Sequence, residues 1–178
     1  MFILYAIPIG LAAGWLLSGR LQGLADVRFR FAPLAVVALA VQIVLFSPLA
    51  DGLPPDAGRV IYVASTALVF AVVLANLRLT GVPFIVVGAA ANLAAIIANG
   101  GAMPASPSAL AAFGGEIGPH TNSVALPHPV LEPLTDVFAT PAWLPFANVF
   151  SIGDVLIGAG VAVALAASMR VPGRPQGR

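Results

Sequence analysis

The chain has 178 residues, of which 60% are hydrophobic and only 8% charged, and its mean hydropathy is +1.00. A soluble domain carries about a quarter charged residues, so the composition points to an integral membrane protein and not to a water-soluble enzyme or a disordered chain. All the basic residues are arginine, the net charge is +1, and no basic run occurs, which excludes a nucleic-acid partner; with no cysteine, disulfides and thiolate metal sites are excluded too.

The first uncharged run, Phe2–Ser18, predicts a membrane span. No basic residue precedes Arg20, so it lacks the charged leader segment of a secretory signal peptide. Phe31–Ala50 predicts a second span, Val60–Leu77 a third, and Val82–Asn99 a fourth. Val149–Met169 predicts the last. Each approaches the roughly 20 residues that a hydrocarbon core demands. Arg20, Arg28 and Arg30 fall between the first two spans, Arg78 between the third and fourth, and Arg170, Arg174 and Arg178 after the fifth. The positive-inside bias makes these segments cytoplasmic. The expected fold is therefore an all-α integral membrane bundle, a single domain over 1–178, with its N-terminus out and its C-terminus in. It would lie in a bacterial inner membrane.

Between the last two spans lies Gly100–Ala147, proline-rich and free of arginine, which predicts an extracytoplasmic cap. Within it, Ser106-Pro107 followed by Ser108–Phe113 and Gly114 reads as a short capped helix. Trp143 is the expected interfacial anchor. His128 and Glu132 have the spacing of a metal pair on a helix, but Pro129 and Pro133 interrupt any helix there, and His120 supplies no clear third ligand. Neither a metal nor another cofactor is expected.

Asp154 is the most informative residue. It follows Asn148, Val149, Phe150, Ser151, Ile152 and Gly153 into the last apolar run. A carboxylate at membrane depth costs roughly 2.5 kcal/mol or more at the centre of a span, and normally marks a pathway, a partner or a reaction. Asn99, at the end of span four, is expected at a similar depth, since Asp154 lies roughly 9 Å along its own span. The Gly100-Gly101 turn offers backbone donors free of any Cβ. Asn92, Gln42 and Asn76 read as interhelical hydrogen-bonding residues. The candidate site is thus Asp154 with Asn99, Gly100, Gly101, Asn148, Ser151 and Asp136. Its expected partners are the bilayer and a lipid, a peptide or another membrane protein.

Two motifs carry a resemblance. Asn99-Gly100-Gly101-Ala102-Met103-Pro104 and Asn148-Val149-Phe150-Ser151-Ile152-Gly153-Asp154-Val155-Leu156-Ile157 resemble an uncharacterised family of small bacterial polytopic membrane proteins, a domain of unknown function. That resemblance covers essentially the whole chain and implies a fold but no activity. A local one does imply chemistry. Phe150-Ser151-Ile152-Gly153-Asp154 is similar to the Phe-Asn-x-Ala-Asp of lipoprotein signal peptidase, with Ser151 and Gly153 in place of its Asn and Ala. In that family a second aspartate lies about eighteen residues upstream, where this chain has Asp136. Ser151-x-Gly153-Asp154 is equally similar to the Gly-x-Gly-Asp of presenilin-like proteases. These likenesses imply a membrane-embedded aspartyl hydrolase that uses Asp154 and Asp136.

Overall fold

A computed structural model describes residues 2–114, 121–126 and 128–170. His120, Arg174 and Arg178, singled out in the sequence, lie outside the described residues. The chain is mostly helical. A 3-10 turn, Phe2–Tyr5, leads into α1, Ala6–Leu16. After the single turn of α2, Gln22–Ala25, comes α3, Ala32–Leu45. Then follow α4, Pro55–Leu74, and α5, Val82–Ala98. The short α6 is Pro107–Phe113, and α7 is Ile152–Met169.

By length and composition α4 and α7 can cross a membrane, with mean hydropathies of 2.0 and 1.9 over their most apolar windows. The apolar stretches Phe2–Leu16, Ala32–Leu45 and Val82–Ala98 form shorter helices. Local chemistry sets the ends. The apolar run that begins at Phe31 stops as a helix at Leu45, because Ser47 caps a separate 3-10 turn, Pro48–Ala50, by accepting from Leu49 N at 3.3 Å. The third run starts earlier than hydropathy predicts, since Pro55 sits at the first helical position, where its missing N–H goes unneeded.

The expected all-α fold needs correction in the segment 100–147. There β1, Met103–Ala105, pairs in parallel with β2, Ser123–Ala125, and β3, Phe138–Ala139, pairs antiparallel with β4, Val149–Phe150. The prolines explain this. They forbid a continuous helix, and buried backbone groups must still find partners, so short ladders take over. The one helix in the segment forms where its signals stand: Ser106 Oγ accepts from Ala109 N at 3.1 Å, and Gly114 ends α6 at φ +70°.

The helices pack in the order α1, α7, α5, α4, α3. At the α5–α7 contact a Cβ on Gly153 would overlap Asn92 Oδ1 and press on the Gly88 carbonyl. The missing side chains let the two backbones approach, as small residues do between membrane helices. Gln42 of α3 donates to Ser65 and Thr66 of α4 at 3.1 Å each. Asn76, just after α4, exchanges hydrogen bonds with the Arg30 backbone.

Candidate functional site

The N-terminus of α7 fixes the centre of the site. Ser151 is extended, wholly buried, and caps the helix: its Oγ accepts from Asp154 N, while Asp154 Oδ2 accepts from Ser151 N, both at 3.1 Å. This reciprocal pair is a capping box with Asp in place of the usual Glu. Ser151 Oγ then donates to Asn92 Oδ1 at 2.8 Å, and Asn92 Nδ2 donates to Asp154 Oδ1 at 2.8 Å. Only this orientation of the Asn92 amide satisfies both a hydroxyl donor and a carboxylate acceptor. A closed ring of hydrogen bonds therefore joins α5 to the start of α7.

Opposite this ring the segment 100–147 contributes Asp136. Its backbone is held on β1: Asp136 N donates to Pro104 O at 2.9 Å, and Ser106 N donates to Asp136 O at 3.0 Å. The side chain is buried, with 5% exposed, and Oδ2 accepts from Ser123 Oγ at 3.3 Å. Burial first, and the negative charge of Asp154 second, push its pKa from 3.8 up to about 7, against the smaller opposing effect of the Ser123 hydroxyl.

Asp136 and Asp154 line one cavity of about 340 Å³, together with Tyr62 of α4, Asn92, Asn122 and Asn148. Asn122 Nδ2 donates to the Tyr62 hydroxyl at 2.8 Å. Asn148 is pinned by its backbone to Thr140, and its Nδ2 donates to Val149 O at 2.7 Å. Its Oδ1 is buried without a partner among the described residues. Such an acceptor normally costs about 1–3 kcal/mol of stability.

The expected pairing of Asp154 with Asn99 or the Gly100-Gly101 turn is not what forms. Asn99 Nδ2 donates to Ala95 O and Val130 O, and its Oδ1 accepts from Val130 N, all at 2.8 Å. It fastens the segment around Val130 to the end of α5. Gly100 and Gly101 make a left-handed turn, φ +70° and +88°, with Gly101 against Arg59. Asn92 takes the expected place of Asn99, seven residues earlier on the same helix face. The reason is register: the Gly88–Gly153 approach sets Asn92, one turn beyond Gly88, beside the start of α7. Ser151, Asn148 and Asp136 do lie at this site.

Tyr62, Asn122 and Ser123 had no signal in the sequence beyond one hydroxyl in an apolar run and a polar pair in a loop. Among the described residues no group of three or more His, Cys, Asp or Glu side chains could hold a metal ion.

Comparison with curated proteins and with solved structures gives no match. Residues 26–166, which include α3 to α5, the whole cavity-forming segment and most of α7, match DUF5317, a family of unknown function. The chain belongs to that family.

Proposed function

We propose that the protein is a five-span membrane protein whose extracytoplasmic end holds a polar chamber that binds a lipid, a peptide or a membrane partner. Several observations support the membrane reading. Helix surfaces carry large exposed apolar side chains, among them Leu16, Ile43 and Val60, far more than a soluble monomer presents in contiguous patches. Trp15, near one end of α1, and Trp143, at the opposite end of the molecule, are 76% and 80% exposed, as interfacial anchors are. Arg20 N donates to Met169 O, beside Arg170, and Asn76 joins Arg30 to the turn that carries Arg78. Arg20, Arg30, Arg78 and Arg170 thus gather at the end away from the chamber, while Arg59 stands beside Gly101 at the other, and this excess supports a chamber facing outward.

The binding reading rests on a single cavity of about 340 Å³ whose wall brings together two aspartates, Tyr62, Asn92, Asn122 and Asn148. The test is native mass spectrometry of protein extracted directly into lipid nanodiscs. Wild type should retain a bound species that Asp154→Asn and Asn148→Leu lose. An identical spectrum for all three proteins would overturn the binding reading.

A second reading, a membrane-embedded aspartyl hydrolase, is favoured by Asp136 and Asp154 lining the same cavity. In that reading Asp154 takes a proton from a water as its oxygen attacks a carbonyl carbon, and protonated Asp136 gives its proton to the departing group. Hydrolysis would fall as pH rises through about 7, where Asp136 loses its proton. A membrane peptide cleaved equally by wild type, Asp136→Asn and Asp154→Asn would contradict it.

A further inference from the structure

A second cavity, about 480 Å³, runs along the outside of α1 and α7. Its walls include Tyr5, Ile9, Leu144, Val155 and Ala159, and they are almost wholly apolar. Phe2 lines both this groove and the polar chamber. The partition between them is one side chain thick. On one side Phe2 stacks on Phe150, with centroids 4.2 Å apart. On the other, Thr140 of the groove is hydrogen-bonded to the backbone of Asn148 of the chamber. Both spaces fall in the roughly 300–1,000 Å³ range of small-molecule sites.

The chamber also selects by charge. Among the described residues no cationic side chain lines it, and Asp136 and Asp154 do. A phosphate or carboxylate head would meet like charge and gain no counter-ion. A head that donates hydrogen bonds would meet an acceptor at Asp154, whose two oxygens retain lone pairs after accepting from Asn92 and Ser151.

We propose that chamber and groove together bind one amphiphile once the Phe2 ring that separates them turns aside, with a hydroxyl- or amine-bearing, non-anionic head at Asp136 and Asp154 and a single apolar chain along α1 and α7. The inference rests on the binding reading above and names the ligand class for that site. The groove opens beside Ile9 and Ala159, both exposed, so in a five-span bundle the chain enters from the bilayer and its head arrives at the outward end.

The full chain in phosphatidylcholine nanodiscs should be exposed to photoactivatable hexadecanol, hexadecylamine and hexadecyl phosphate. The alcohol and the amine should crosslink to α1 or α7 at least about tenfold more than the phosphate, a difference well within reach of one charge contact. Ala159→Phe fills the groove from an exposed helix position. It should lower crosslinking by a similar factor with its thermal transition unchanged. Asp154→Asn should weaken capture of the amine more than that of the alcohol. Equal labelling by the phosphate overturns the proposed head chemistry. Labelling lost in Asp154→Asn but untouched by Ala159→Phe overturns the proposed chain path and leaves the binding reading standing. Labelling indifferent to both variants overturns the two together.

Discussion

Asp154 accepts a hydrogen bond on each carboxylate oxygen, one from Asn92 and one from the Ser151 backbone, and sits in the first turn of α7, where the helix dipole favours an anion. Asp154→Asn keeps one acceptor and should cost about 1 kcal/mol, as loss of a cap does. Asp154→Leu orphans both donors, so its thermal transition should drop further, by the equivalent of about 2–4 kcal/mol. Equal melting of the two variants would contradict this. Asp136 is the residue under strain. Its folded pKa, about 7, exceeds the unfolded value of 3.8, so the folded state holds the extra proton between these values and stability falls as pH rises from about 4 to about 7. Among the described residues, Asp154 and Tyr62 are the ionisable groups that line the cavity with it. Asp136→Asn should gain stability relative to wild type across that window, measured by thermal melting in detergent at pH 4.5 and pH 8. A constant difference would contradict the burial argument. Asp154 and Asp136 were legible because a carboxylate among apolar residues is visible in one dimension, and Ser151 because it stands in the same motif as Asp154. Tyr62 and Asn122 were not, since nothing local distinguishes a hydroxyl that lines a chamber from one that packs.

The apolar runs made the helices legible, but their ends were set by capping residues that hydropathy does not weigh. The last run begins at Val149, yet Val149-Phe150 pairs as β4 and the helix waits for Ser151. That shift, with the Gly88–Gly153 approach, replaced Asn99 by Asn92 as the partner of Asp154. The strands of 100–147 were illegible because two or three residues between prolines carry no period. The α5–α7 contact yields a sharp expectation. In Gly153→Ala the new methyl meets Asn92 Oδ1 and the Gly88 carbonyl, so overpacking should destabilise by about 1–3 kcal/mol and break the ring of hydrogen bonds. Gly52→Ala, whose Cβ meets nothing within 4 Å, is the control for the glycine-to-alanine change. Equal thermal transitions in detergent for the two variants would contradict the packing.

For the whole molecule, the excess of arginines at one end and the polar chamber at the other define a polarity across the proposed membrane. Cysteines introduced at Gly52 and Ala142 in intact cells should react with an impermeant maleimide, and one at Thr80 should react only after the membrane is permeabilised. The opposite pattern would invert the orientation and place the chamber in the cytoplasm. The central claim is that this chamber is a binding site and not a packing defect. Its most direct test is the experimental density of the protein in lipid nanodiscs at a resolution that shows side chains. The account predicts an elongated density, its head within hydrogen-bond reach of Asp154 and its tail in the groove beside Phe2 and Ala159. A chamber closed by movement of Asp136 and Tyr62 onto Asp154, with no room for an occupant, would contradict it.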